Sequence, residues 1–208
     1  MTLPEVELRA AWRQLAGNGH DHRLDELLAR HCEAHRRYHT ATHVMWVLRH
    51  LTDMVAAGEV ATDLPAVQLA ALFHDVVYDP TAADNEARSA RIAEQVAAEL
   101  GWPGDRRQLV GHLVLATAGH RPQGGDAALL VDADLAILGA DCTIYEAYVE
   151  GVRAEYAHVD DDAWISGRGA VLRGFLALPH LFNTSYMRGM REAQAIANIT
   201  AELAALHG

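Results

Sequence analysis

His74 and Asp75 stand side by side inside Leu69-Ala-Ala-Leu-Phe-His-Asp-Val-Val-Tyr78, a run that is otherwise apolar. A carboxylate in such a segment costs several kcal/mol unless it is paired, hydrogen-bonded or bound to a cation. A divalent metal ion satisfies both residues at once, because neutral imidazole and carboxylate are its usual nitrogen and oxygen ligands. The plainer reading is a His-Asp pair satisfied within a helical core. In Arg36-Arg-Tyr-His-Thr-Ala-Thr-His43, His39 and His43 have i,i+4 spacing. At about 100° per residue, His39, His43 and His50 fall within roughly 40° of one another, beside the apolar stripe of Val47, Leu51 and Met54. Metal ligation and a capping or core-edge role both fit these histidines. In Leu130-Val-Asp-Ala-Asp-Leu-Ala-Ile-Leu138, Asp134 lies at the centre of a stripe of Leu130, Val131, Ile137 and Leu138. The periodicity predicts a buried Asp134, as a metal ligand or in an ion pair, and a solvated Asp132 on the opposite side.

Two arginines also bear on chemistry. Arg168 occupies the centre of a stripe made by Trp164, Val171, Leu172 and Phe175, where a guanidinium must meet an anion. That anion is a buried carboxylate or a substrate phosphate. Arg37, next to the histidine cluster, is a second phosphate candidate or a solvated surface arginine.

The elements that must position these residues are helices. Apolar residues recur at helical spacing almost everywhere, and Val/Ile/Thr-rich alternating runs are absent, which predicts an all-α domain. Thr81 and Asp84 open one helix, which Gly101 and Pro103 close; further breaks fall at Gly58, at His120-Arg-Pro-Gln-Gly-Gly125, at Gly139 and around Pro179. The expected helices are about 4–16, 22–35, 41–57, 64–78, 84–100, 105–118, 127–138, 142–157, 162–177 and 187–206. With 208 residues and neither linker nor repeat, residues 1–208 are expected to form a single helical domain. The 28 Asp+Glu against 17 Lys+Arg argue against a general nucleic-acid or anionic-membrane surface, so an anionic substrate needs a locally positive site. No segment has the apolar length of a membrane span, Cys32 and Cys142 provide no disulfide framework, and the N-terminus does not read as a signal peptide, so a reducing cytoplasm is expected.

His43, then His74-Asp75, then Asp134, in that order on successive helices, resemble the H…HD…D metal site of the HD-domain superfamily of metal-dependent phosphohydrolases. The closer resemblance is to a bacterial branch, the predicted HD phosphohydrolases. It rests on Arg37-Tyr-His-Thr-Ala-Thr-His43, His74-Asp-Val-Val-Tyr-Asp-Pro80, Asp84-Asn-Glu-Ala-Arg-Ser89, Thr117-Ala-Gly-His120, Asp132-Ala-Asp-Leu-Ala-Ile-Leu-Gly139, Arg153-Ala-Glu-Tyr156 and Gly167-Arg168. The quoted motifs run from Arg37 to Arg168, and the resemblance covers about residues 30–200.

The resemblance implies a single multi-helix HD-like bundle in which His43, His74, Asp75 and Asp134 hold a divalent ion. The mixed ligand set does not select among Mn, Fe, Co, Ni, Zn and Mg. It implies hydrolysis of a small phosphorylated substrate, a nucleotide or a related metabolite, with Arg37, Tyr78 and Arg168 binding it. Tyr78 stands where many members carry a Lys or Glu helper, which leaves Glu86, Asp79 and His120 as candidates for acid-base work. His112 and His120, the latter preferred, are candidates for a second metal. Two rivals come with the resemblance: a di-iron oxygenase and a metal-stabilised nucleotide-binding module without turnover.

Overall fold

The computed structural model describes residues 2–122 and 124–206. Among them every regular element is helical, with ten α-helices, one 3-10 helix and no strand. No helix is long and apolar enough to cross a membrane. The chain forms two compact units, Met1–Asp134 and Leu135–Gly208.

The first unit contains α1 (Leu3–Ala16), α2 (Asp21–Arg30), α3 (Ala41–Ala56), α4 (Leu64–Phe73), α5 (Asn85–Glu99), α6 (Gly104–Thr117) and α7 (Gly125–Asp134). Its axis is α4, against which α1, α3, α5, α6 and α7 all pack. This helix buries Ala66, Val67, Leu69, Ala70, Ala71, Leu72 and Phe73, because it has no polar face to offer solvent. Asp63 caps it by accepting from the Ala66 amide at 3.1 Å, and Pro65 sits in its first turn, where a missing amide costs nothing. The Asp126 carboxylate secures the same end, accepting from the Thr62 and Asp63 amides at 2.6 and 3.0 Å. Helices α5 and α6 meet closely at Gly111, where a Cβ would fall on the Glu94 side chain.

The periodicity carries α4 on to residue 78, but the helix ends at Phe73. The polar groups beyond it find tertiary partners instead of helical ones: Arg36 takes the Asp75 and Val76 carbonyls, and Ser89 Oγ accepts the Val77 amide at 3.0 Å. Val76, Val77 and Tyr78 are weak helix formers, and Asp79 precedes a proline, which disfavours helical backbone. Similarly, α2 stops at Arg30 rather than 35, giving way to turns closed by the Cys32, Glu33 and Arg36 amides.

The second unit comprises the 3-10 helix Leu135–Gly139, α8 (Cys142–Glu155), α9 (Asp161–Leu176) and α10 (Ser185–Ala205). Helix α10 packs on the 3-10 turn, where Asn198 Nδ2 donates to the Leu138 and Ala140 carbonyls at 2.8 Å each. Gly139 permits this approach, since a Cβ there would lie 2.6 Å from Arg191 Cβ and 2.7 Å from the Arg191 carbonyl oxygen.

The interior of this unit answers the question posed by Arg168. Its guanidinium is buried and meets Glu202 in a two-point pair, Nε to Oε1 at 2.7 Å and Nη2 to Oε2 at 3.0 Å, while Nη1 donates to the Tyr148 hydroxyl at 3.1 Å. Tyr145 donates its hydroxyl to the same carboxylate. The expected phosphate ligand is thus a scaffold residue: the anion its apolar surroundings demanded is a carboxylate from α10, 34 residues away in sequence.

Candidate metal centre

Three segments of the first unit bring the candidate ligands together. The loop after α2 delivers His39 and leads into α3, whose first turn carries His43; the end of α4 carries His74 and Asp75; the last residue of α7 is Asp134. His43 and His74 are buried, at 5% and 1% exposure. Their Nε2 atoms lie 3.1 Å apart. Asp75 Oδ2 is 3.2 Å from His74 Nε2 and 3.5 Å from His43 Nε2, and Asp134 Oδ1 is 3.2 Å from His43 Nε2 and 3.5 Å from His74 Nε2.

His43, His74 and Asp75 form a group that can hold a metal ion, each offering a ligand atom within 4.8 Å of the others. Donor spacing tests the fit. An ion about 2.0–2.2 Å from nitrogen and oxygen ligands requires adjacent donors about 2.8–3.6 Å apart, from octahedral to tetrahedral geometry. Within the His43, His74 and Asp75 group the spacings of 3.1 to 3.5 Å fall inside that range, and Asp134 Oδ1, outside that group, keeps the same range to the two imidazoles. Tautomers fit as well. His74 Nδ1 lies 2.9 Å from the Ala71 carbonyl, which can only accept, so the neutral ring carries its proton on Nδ1 and turns a bare Nε2 towards the cluster. His43 Nδ1 is oriented by the Tyr38 hydroxyl at 3.1 Å.

The electrostatics follow from two carboxylates enclosed with two imidazoles. Burial opposes charge on both rings, but Asp75 and Asp134 outweigh it and raise the His43 pKa, and that of His74 well above the ordinary value. Burial likewise opposes charge on the carboxylates, yet the neighbouring histidines hold both well below the usual range: His74, His43 and His39 act on Asp75, and His120, His43 and His74 on Asp134. The four groups attract positive charge strongly enough to overcome their burial.

Around this core stand further residues named from the sequence. His39 Nε2 is 4.0 Å from Asp75 Oδ2, and His120 Nε2 is 3.7 Å from Asp134 Oδ2. His120 has φ 49°, the only positive φ outside glycine among the described residues, a conformation that costs about 1–3 kcal/mol and gathers at functional sites. Tyr78 stacks on His39 with ring centroids 4.1 Å apart and planes 27° apart.

Other candidates lie elsewhere. His112 is exposed on α6, and His50 stacks on Trp46. Glu86 opens α5, part-exposed, and makes no ion pair or hydrogen bond with the cluster among the described residues. Asp79 closes a turn by accepting from the Thr81 amide and hydroxyl at 2.9 and 2.7 Å, which lowers its pKa. Arg37 is exposed, and its Nη1 donates to the Ala34 and Arg36 carbonyls at 2.6 and 3.0 Å. Asp132, expected in solvent, is fully buried, and Asp134, expected in the core, is part-exposed. The correction has a simple cause: α3, α4 and α6 all pack on α7, which therefore has no solvent side for Asp132, while Asp134 at its end borders the cluster.

Two supporting residues escaped the sequence. Tyr38 orients His43, and Arg36, not Arg37, is the arginine turned inward. Behind them lies His31, 2% exposed, whose Nδ1 is 3.3 Å from the His39 carbonyl and 3.4 Å from Arg36 Nη1. Burial, then the Arg36 charge, pushes its pKa down to about 3 from 6.5. Between these values the unfolded chain binds a proton that the folded chain refuses, so His31 causes stability to fall as pH drops below about 6.5, by at most about 1.4 kcal/mol per pH unit. Urea midpoints measured from pH 7 to pH 4 should decline less steeply in His31→Leu than in the wild type; parallel declines would contradict a neutral buried imidazole.

No family model, curated protein or solved structure matches this chain.

Proposed function

We propose that the chain is a metal-dependent hydrolase of phosphate esters, acting on a nucleotide or a related small phosphorylated metabolite in the cytoplasm. The observation that supports this reading is the pair of imidazole Nε2 atoms of His43 and His74, 3.1 Å apart and each 3.2 to 3.5 Å from Asp75 Oδ2 and from Asp134 Oδ1, with both rings oriented by partners behind them. These four residues are the proposed ligands. A divalent ion there supplies Lewis acidity, acidifying water and polarising a phosphoryl oxygen.

The remaining steps belong to the chain's own side chains. His120, whose Nε2 lies 3.7 Å from Asp134 Oδ2, is our candidate for exchanging a proton with water or leaving group. It takes precedence over Glu86, for which no hydrogen bond or ion pair to the cluster is seen among the described residues. Tyr78 and His39 form an aromatic wall beside Asp75, and the exposed Arg37 contributes positive charge on the loop that enters α3, in a chain of net charge −11. With Arg168 committed to Glu202, substrate binding falls to Arg37 and Tyr78.

The test is phosphate release from nucleotides and p-nitrophenyl phosphate by protein stripped with a chelator and reloaded in turn with Mn, Fe, Co, Ni, Zn and Mg. Activity that disappears on stripping and returns with at least one ion is expected. Oxygen consumption with a visible iron chromophore would favour the oxygenase instead, and tight nucleotide binding without phosphate release the binding module.

A further inference from the structure

Arg36 holds an unusual position for a charged side chain. Its side chain is 0% exposed, and its one carboxylate partner among the described residues, Glu33 at 3.2 Å from Nε, is itself 38% exposed. Nη1 donates to the Asp75 carbonyl at 2.8 Å and the His39 carbonyl at 3.1 Å and lies 3.4 Å from His31 Nδ1, and Nη2 donates to the Val76 carbonyl at 3.2 Å. The guanidinium carbon lies 5.4 Å from the Tyr78 ring centroid, and Tyr78 in turn stacks on His39. A buried cation is costly unless its donors are used, and here they join two segments separated by 39 residues.

We infer that Arg36 is the positioning residue of the metal centre, fixing the His74-Asp75 turn against the loop that delivers His39 and His43. The inference rests on the metal-binding reading. Three features carry it. The Asp75 and Val76 carbonyls lie past the end of α4, where no i+4 amide serves them, since that of Asp79 donates to Asn85 Oδ1 and Pro80 has none; the guanidinium supplies their partners instead. The same nitrogen reaches both Asp75 and His39, so the separation of the two segments is set by one rigid planar group. The Asp75 main chain is then held independently of its carboxylate, which stays free for the cluster.

Lysine keeps the charge but replaces the fork by one point, so Arg36→Lys should loosen the turn. Supporting residues of this kind change metal affinity by about 10- to 100-fold. The experiment titrates wild type and Arg36→Lys with Co²⁺, reading affinity and the visible d–d spectrum, and records imidazole ¹H–¹⁵N spectra of the metal-free proteins. Arg106→Lys is the control: Arg106 pairs two-point with Asp63 at 2.6 and 2.7 Å and lies over Trp102, so its loss destabilises the same unit without touching the cluster.

The expected result is Co²⁺ binding weakened at least about tenfold in Arg36→Lys, an altered d–d band, and displaced ring signals of His43 and His74, with none of these changes in Arg106→Lys at a comparable loss of melting temperature. Wild-type affinity and unmoved ring signals in Arg36→Lys would overturn the assignment, as would the same changes in the control, which would trace them to lost stability. If burying a lysine unfolds the chain, Arg36→Gln, uncharged and still a donor, is read with the same expectation. Should the wild type bind no Co²⁺, the metal reading fails separately; displaced ring signals in the metal-free variant would still uphold the positioning role, and unmoved signals would overturn it.

Discussion

Asp75→Ala should lower metal-dependent phosphate release by orders of magnitude while the protein stays folded. Asp75 Oδ2 is the atom on which the imidazoles converge, with the Nε2 atoms of His74, His43 and His39 at 3.2, 3.5 and 4.0 Å. Its removal takes away an anionic ligand and leaves two buried rings without half of their compensating charge. The fold should survive, because the Asp75 carbonyl, held by Arg36, is unaffected by the substitution. Turnover is measured beside circular dichroism and metal affinity. A folded variant with wild-type turnover would remove Asp75 from the mechanism; lost turnover with wild-type metal affinity would give it a role other than ligation.

The largest stability effect is expected at Arg168. Among the described residues Arg168→Met leaves the buried Glu202 carboxylate with the Tyr145 hydroxyl alone as partner, and the loss should be about 3–5 kcal/mol, as for breaking a buried ion pair. At roughly 1–3 kcal/mol per molar urea, the midpoint should fall by more than about 1 M. Adding Glu202→Leu should restore most of the loss, because an apolar pair of similar volume carries no desolvation cost. Phosphate affinity should not change. A near-neutral Arg168→Met with weakened phosphate binding would reverse the assignment and make Arg168 a substrate ligand.

The sequence was most readable where a residue's neighbours lie along its own helix. The all-helical class, and most helix starts and ends, followed from apolar spacing and caps, and the oddity of a histidine and an aspartate within Leu69–Tyr78 was visible without coordinates. What was not readable depends on partners distant in sequence. Helix α4 stops at Phe73, and the groups beyond it find distant partners, Ser89 for the Val77 amide and Arg36 for the Asp75 and Val76 carbonyls. Asp132 is buried because three helices surround α7, and a helical wheel assumes that one side meets water. The choice between Arg36 and Arg37 arises in a turn region with no period to distinguish inward from outward. For Arg168 the wheel identifies the need for an anion but cannot choose between phosphate and a carboxylate, because Glu202 lies 34 residues away on another helix.

Metal binding by the native protein is the most direct test of the account. Protein purified in chelator-free, metal-supplemented buffer is analysed for elements, then stripped and titrated with Mn²⁺, Co²⁺ and Zn²⁺ while its melting temperature is followed. A ligand that binds only the folded state stabilises it by about 2.7 kcal/mol at one hundred times its Kd, so the melting temperature should rise with metal and fall on chelation. At least one ion per chain is expected, with the thermal shift abolished in His74→Ala and weakened in Asp134→Ala. Protein that contains no metal and shows no thermal shift with any of these ions would contradict the account.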